Sequence, residues 1–297
     1  MESPSSVPAR LTFIGGGRLA QAIIDGIYAS DVAWSAECPI SITGRRPEHV
    51  EVLKKKYPKN LVTNNNTDPA IWEQDTITNP SGGHVLFICT LPIDVPHICR
   101  ELTPVLEKLD ENALPTVVTL CPGIFVSQLQ GWLPKGTPIV RSMPNLPVTC
   151  REGATGLYAS SDGASRVDLV VKVFRQVSPA SCVLPKEELL DVVAAIAGSA
   201  PAHFYYMLES MISAAESFGL PSDTARTLVV QSCLGSGMQA RGIDKSIAAL
   251  REEVCVPGGS TAKAIAHLAS KEVPSIVREA IGKSLQANKE MSNVDMN

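Results

Sequence analysis

Three short stretches carry residue types and spacings suited to chemistry. The first is Gly15-x-Gly17-x-x-Ala20, set between the apolar run Leu11 to Ile14 and a helical spacing of Ile23, Ile24 and Ile27. A first glycine permits a tight turn, a second lets a phosphate approach the backbone, and a small third residue lets helix and strand pack closely. The free N–H groups and positive dipole end of the following helix favour an anion, which makes this a dinucleotide site. The alternative is a glycine-rich strand–helix turn that binds nothing. The second stretch is Ile40-Ser-Ile-Thr-Gly-Arg-Arg-Pro47, an alternating strand ending in two arginines. An acidic residue at this place suits the ribose hydroxyl of NAD, whereas arginine suits a 2′-phosphate. Thr43, Arg45 and Arg46, with no Asp or Glu before Glu48, therefore argue for NADPH over NADH, unless the arginines merely open the next helix. The third stretch is Val256-Pro257-Gly258-Gly259-Ser260-Thr261, followed by helical spacing through Ile265 and Leu268. Glycines and small hydroxyls at a helix N-terminus form a nest for a carboxylate, and the Thr261 hydroxyl can hydrogen-bond a nitrogen. An ordinary loop with a capped helix is the competing reading.

The elements that must position these residues follow from hydrophobic periodicity. Val85 to Thr90 and Pro115 to Leu120 are continuous apolar runs, as expected of strands buried on both faces. A helix is expected from Val95 to Leu106, another after Gly123, and further strands at 138–143 and 153–159. The Lys54-Lys-Lys56 run reads as a solvated helix face. Residues 60 to 84 read as irregular, with turns at Asn64-Asn-Asn66 and Asn79-Pro-Ser-Gly-Gly83. Strands alternating with helices at this spacing give a doubly wound, mostly parallel sheet, which binds ligands beyond its strand C-termini. The loops at 15–19, 89–92 and 121–123 should therefore face the cofactor.

From Glu187 the strand signals stop. Phe204, Met207, Leu208, Met211, Ile212, Ala215 and Phe218 mark one apolar helix face, ended by Gly219-Leu-Pro221, and a second helix starts with Ser222 as its cap. Gly198-Ser-Ala-Pro-Ala202 reads as a tight turn into a helix, and the last residues, from Asn288, as frayed. Ser213, Ala214, Gly235, Ser236 and Gly237 allow close helix approach, suggesting a region partly buried against a second subunit. The division is a Rossmann-like NADPH domain over 1–186 and an all-helical substrate and dimerisation domain over 187–297.

Bulk properties exclude several classes. The chain has 297 residues, 44% hydrophobic and 19% charged, with a net charge of −4, which gives no sign of a nucleic-acid or membrane-surface partner. The eight cysteines form no Cys-x-x-Cys pair and no zinc-like spacing with the five histidines. They read as reduced thiols in a cytoplasmic compartment, with no metal site. The N-terminus, Met-Glu-Ser-Pro-Ser-Ser-Val-Pro, has neither an apolar signal core nor a basic amphipathic stretch, so a soluble, uncleaved chain is expected. No lysine falls between Lys186 and Lys245, which argues against a carbonyl reductase that polarises its substrate with a lysine from the first helices of a helical domain. His203 and His267 read as packed or surface residues.

Several motifs in one order resemble the pyrroline-5-carboxylate reductase family. They are Phe13-Ile-Gly-Gly-Gly-Arg-Leu-Ala20, Arg141-Ser-Met-Pro-Asn145 with Pro147, Arg151-Glu-Gly-Ala-Thr155, Gly198-Ser199 with Pro201-Ala202, Gly219-Leu-Pro221 and Pro257-Gly-Gly-Ser-Thr261. The resemblance covers Phe13 to about Lys289 and implies NAD(P)H-dependent reduction of a cyclic imine to L-proline by a homodimer or a larger assembly built on dimers. It further implies that Gly15, Gly17, Arg18 and Leu19 hold the pyrophosphate, and Arg45 and Arg46 the 2′-phosphate. Asn66, the Cys89-Thr90-Leu91-Pro92 loop, Cys121 and Gly123 would line the rest of the cofactor. Thr261 would meet the imine nitrogen, with backbone N–H groups near Gly259, Ser260 and Thr261 on the substrate carboxylate. The chain departs from the family at Cys89-Thr-Leu-Pro92, Cys121-Pro-Gly123, Leu146, Ala200, His203 and Val256; the last removes a hydroxyl beside the nest. Two other readings accompany this one: a divergent imine reductase acting on another cyclic imine, and a non-catalytic NADP-binding scaffold or sensor.

Overall fold

The first strand follows from Leu11, Thr12, Phe13 and Ile14, all fully or almost fully buried at the centre of an eight-stranded sheet. The computed structural model describes residues 7–32, 34, 38–72 and 83–292; residues 1–6, the turn expected at 79–82 and residues 293–297 lie outside these. The strands are β1 (Arg10–Ile14), β2 (Ile40–Thr43), β3 (Leu61–Thr63), β4 (His84–Ile88), β5 (Thr116–Thr119), β6 (Ile139–Pro144), β7 (Ala154–Ala159) and β8 (Ala180–Val183). Their order is β3-β2-β1-β4-β5-β6-β7-β8, and every neighbouring pair is parallel except β6 with β7. The chain runs outward from β1 through β2 to β3, then crosses back to β4 on the other side of β1. This reversal opens a crevice beyond the C-terminal ends of β1 and β4, where sheets of this kind bind ligands.

Period-two alternation divides the core between two faces. Leu11, Phe13, Val85 and Phe87 point to the face covered by α1 (Arg18–Tyr28), α2 (Pro47–Lys56) and the later helix Val167–Phe174. Phe13 stacks on Phe87 at 4.7 Å, and Phe87 meets Phe174 edge-on at 5.9 Å. Ile14, Leu86 and Ile88 point the other way. Continuing in chain order, α3 is Pro69–Trp72, α4 Val95–Leu106 and α5 Val126–Trp132, of which α4 and α5 supply Val95, Ile98, Leu102 and Leu129 to that second face. Val167–Phe174 is α6 and Leu189–Val193 is α7. Residues 60–84, read as irregular, contain β3 and α3; both are too short to show a period.

By its contacts the chain divides into one unit of residues up to Gly198 together with those from Leu285, and a second unit of Ser199–Ser284. The second contains α8 (Ala200–Ser217), α9 (Ser222–Gly242), α10 (Ile247–Val254), α11 (Ser260–Ser270) and the first part of α12 (Val273–Ser292). The apolar face read from Phe204 to Phe218 forms on α8 and its C-cap Phe218, yet the described residues do not cover it. Phe204 is 60% and Phe218 89% exposed, and α8, α10 and α11 have no buried residue. Added Cβ atoms at Gly235 and Gly237 would meet only open space.

Three local expectations need correction. In the stretch 198–202, read as a tight turn into a helix, Gly198 ends a π-helical turn over 194–198, Ser199 is a bend, and α8 already begins at Ala200. Ser222 is the first helical residue of α9 and Pro221 its cap, so the hydroxyl makes no cap bond. Asn288 lies inside α12, which continues to Ser292, and its amide donates to the Asp191 carbonyl at 3.4 Å.

Candidate functional site

Three loops converge where β1, β4 and β5 end. Gly15 has φ +99°, and a Cβ there would sit 2.9 Å from Thr90 Cγ2 and 3.0 Å from the Cys89 carbonyl oxygen, so only glycine fits. The Cys121 thiol donates to the Thr90 carbonyl at 3.1 Å, tying the β5 loop to the same place. Burial, then the charge of neighbouring Cys121, raises the Cys89 thiol well above its ordinary range; burial also raises Cys121. These thiols therefore stay protonated and act as packing groups rather than nucleophiles. Gly123 has φ +74° and turns the chain toward α5. Leu91 is exposed beside the loop.

The glycine loop is fixed by its own backbone. The N–H groups of Gly15 and Gly16 both donate to the Thr43 carbonyl, at 3.2 and 2.9 Å, and the Thr43 hydroxyl lies 3.4 Å from the Gly15 nitrogen. Thr43 is buried, and both its carbonyl and its hydroxyl face the loop. A Cβ on Gly16 would stand 2.4 Å from Leu53 Cδ1, so the middle glycine, which the motif leaves free, is fixed by packing against α2. Gly17 is open, with only the Cys89 carbonyl oxygen near its Cβ direction, at 3.9 Å. Gly17 also caps α1, so the N–H groups of Arg18, Leu19 and Ala20 have no intrahelical acceptor.

At the end of β2, Arg45 and Arg46 are both exposed, and Arg46 is the cap residue of α2. Arg45 Nη1 lies 3.3 Å from Asp94 Oδ1, on the turn that leads into α4. Asn66 Nδ2 donates to Glu101 Oε2 at 2.9 Å. Three participants escaped the sequence reading: Asp94, Gln21 and His49. Gln21 Nε2 and His49 Nε2 each lie 2.9 Å from the Gly16 carbonyl oxygen. The only sequence signal for His49 is its place in the first turn of the helix after the two arginines.

The β5 loop has a buried ionic support. Arg141 on β6, 5% exposed, reaches Glu187 Oε1 at 3.2 Å and Asp191 Oδ1 at 3.7 Å, with its guanidinium 4.6 Å from the Phe125 ring centroid. Glu187 Oε1 also accepts the Val126 N–H at 2.8 Å, which satisfies the N-terminus of α5.

In the second unit, Pro257 and Gly258 occupy the centre of a turn closed by the Gly259 N–H donating to the Val256 carbonyl at 2.9 Å. Gly258 has φ +75°, the requirement of a type II turn. The Gly259 N–H is thus taken up inside the turn, which corrects its expected place in the nest and leaves those of Ser260 and Thr261 at the start of α11. Thr261 is half-buried, and its hydroxyl has no hydrogen-bond partner among the described residues. Val256 is 66% exposed.

Residues 187–291 match the family model for pyrroline-5-carboxylate reductase dimerisation, and residues 10–109 the model for NADP oxidoreductase, coenzyme F420-dependent. The Delta-1-pyrroline-5-carboxylate reductase apf3 of Gibberella fujikuroi is 40% identical over 283 residues, spanning 94% of this chain and 95% of the relative. The chain belongs to the pyrroline-5-carboxylate reductase family. As a member it is an NAD(P)H-dependent oxidoreductase acting on a carbon–nitrogen double bond. The fold agrees with a pyrroline-5-carboxylate reductase of Coxiella burnetii at TM-score 0.83 and 29% identity, covering 96% of this chain and 98% of that one. The Plasmodium falciparum pyrroline carboxylate reductase with NADP bound shares the fold at TM-score 0.73 and 20% identity, over 96% and 100% of the two chains. The exposed apolar face of α8 lies within the span matched by the dimerisation model. Among the described residues, no helix is long and apolar enough to cross a membrane, and no cluster of His, Cys, Asp or Glu is placed to hold a metal.

Proposed function

We propose that the chain reduces 1-pyrroline-5-carboxylate to L-proline with NADPH, as a homodimer or an assembly of dimers. The observation that carries this reading is Thr261, whose unpartnered hydroxyl stands beside the free Ser260 and Thr261 N–H groups at the start of α11. In the proposed substrate the carboxylate sits on the carbon next to the ring nitrogen. One helix end can therefore hold both groups, with backbone N–H on the carboxylate and the hydroxyl oxygen accepting from the protonated imine. The nicotinamide, when bound, supplies the hydride to the imine carbon. The chain's own task is to orient a carbon that protonation has already made electrophilic. On the cofactor side, the open Gly17 and the free first-turn N–H groups of α1 suit a pyrophosphate, and Arg45 and Arg46 suit a 2′-phosphate. All eight cysteines are free, which supports a reducing compartment such as the cytoplasm.

A second reading, a reductase of another cyclic imine, is favoured by Val256, Leu146 and His203, all exposed where the chain departs from the family. NADPH oxidation with 1-pyrroline-5-carboxylate, beside a six-membered cyclic imine acid and an imine lacking the carboxylate, separates the two. Turnover of the first alone is expected. Turnover of another imine alone transfers the assignment to the second reading, and NADPH binding without any turnover leaves a non-catalytic protein. Thr261→Ala should lower kcat/KM by about ten- to a hundredfold, the loss of one hydrogen bond to a charged group, and leave NADPH affinity unchanged. Replacing Arg45 and Arg46 by alanine should weaken NADPH by on the order of tenfold or more and NADH far less; equal loss for both would remove the 2′-phosphate role.

A further inference from the structure

The Gly16 carbonyl is held by two side chains from different helices, Gln21 on α1 and His49 on α2, each at 2.9 Å. A carbonyl only accepts, so a neutral His49 must carry its ring hydrogen on Nε2. The Gly16 carbonyl and the Gly17 N–H belong to one planar trans peptide and point in opposite directions. Fixing the oxygen against α2 therefore turns the Gly17 N–H to the other side of the loop. That N–H has no acceptor among the described residues, and Gly17 is exposed. His49 also packs beneath the basic turn: its Cδ2 is 3.7 Å from where a Cβ on Gly44 would stand.

Resting on the NADPH reading above, we propose that His49 is a positioning residue for the cofactor. Its Nε2–H holds the Gly16–Gly17 peptide so that the Gly17 N–H is aimed at the pyrophosphate. Without the imidazole donor, only the Gln21 side chain remains on the Gly16 carbonyl, and the peptide is held less firmly in this orientation. The effect falls on the pyrophosphate, which NADPH and NADH share, and not on the 2′-phosphate.

The test titrates the purified full-length protein with NADPH and with NADH by quenching of tryptophan fluorescence, and follows turnover of 1-pyrroline-5-carboxylate. His49→Leu should raise Kd for both cofactors by a similar factor, roughly three- to tenfold for one hydrogen bond, with kcat at saturating cofactor unchanged. His49→Gln, whose amide N–H can occupy the place of Nε2–H, should recover most of the affinity. Unchanged binding in His49→Leu overturns the assignment, as does a loss confined to NADPH, which would place His49 on the 2′-phosphate. A His49→Gln variant as weak as His49→Leu also overturns it, since the donor would then be irrelevant. Should His49→Leu not fold, 15N spectra of the wild type decide, because a neutral ring protonated on Nδ1 is incompatible with the bond. Wild-type protein that binds neither cofactor would instead overturn the NADPH reading itself.

Discussion

Helices α1 and α8 both carry apolar residues at helical spacing, and they meet opposite fates. On α1, Ile23, Ile24 and Ile27 are fully buried against the sheet. On α8, Phe204, Met207 and Met211 remain at least half exposed. The first unit closes its own core. The second carries the apolar surface of half a core, in a family whose helical region is matched by a dimerisation model. The difference shows that hydrophobic periodicity records burial without recording which chain does the burying.

Met207→Asp with Met211→Asp should convert the assembly to monomers at micromolar concentration, seen by light scattering, and abolish turnover. A double variant that stayed dimeric would show that this face is not the one a second copy covers. A change in the first unit should behave differently: Ile23→Ala should lower the unfolding free energy by about 2–5 kcal/mol in urea titrations, because it opens a cavity in a closed core. The smallest effect expected is on acid sensitivity. Burial, reinforced by the charge of Arg10, pulls His84 at the start of β4 down to about 3 from 6.5. Between those values the unfolded chain binds a proton that the folded chain does not, so the stability associated with the neutral ring is lost as pH falls from about 6.5 toward 3. Urea midpoints measured at pH 7, 5 and 4 should fall less steeply in His84→Gln than in the wild type.

The parts legible in the sequence are those where one local signal decides. The β1–loop–α1 unit shows in a continuous apolar run, two glycines and a helical period, and the basic turn shows in two adjacent arginines. β3 has a single buried residue, Val62, in three, which is too little to form a pattern. The π-helical turn at 194–198 leads into the Gly-Ser-Ala-Pro stretch, whose composition resembles a reverse turn. At the site, the glycines mark the loop but not the groups that hold it. His49 lies 33 positions from Gly16, and only the packing of α2 beside β1 makes the two adjacent. A nest and a type II turn share a composition, so the sequence leaves the Gly259 N–H free for either.

Glu187 bears on how far the protein can be treated as modular. It is the first residue of the helical region by family match, yet its carboxylate serves Arg141 and the start of α5 in the sheet unit. A chain severed just before it would retain every strand, but would leave a nearly buried guanidinium without either carboxylate, a defect of about 3–5 kcal/mol. The two regions therefore cannot be shuffled between relatives at that seam. An exchange that respects the physics must carry Glu187 and Asp191 with the nucleotide-binding half, and take its crossover after Gly198.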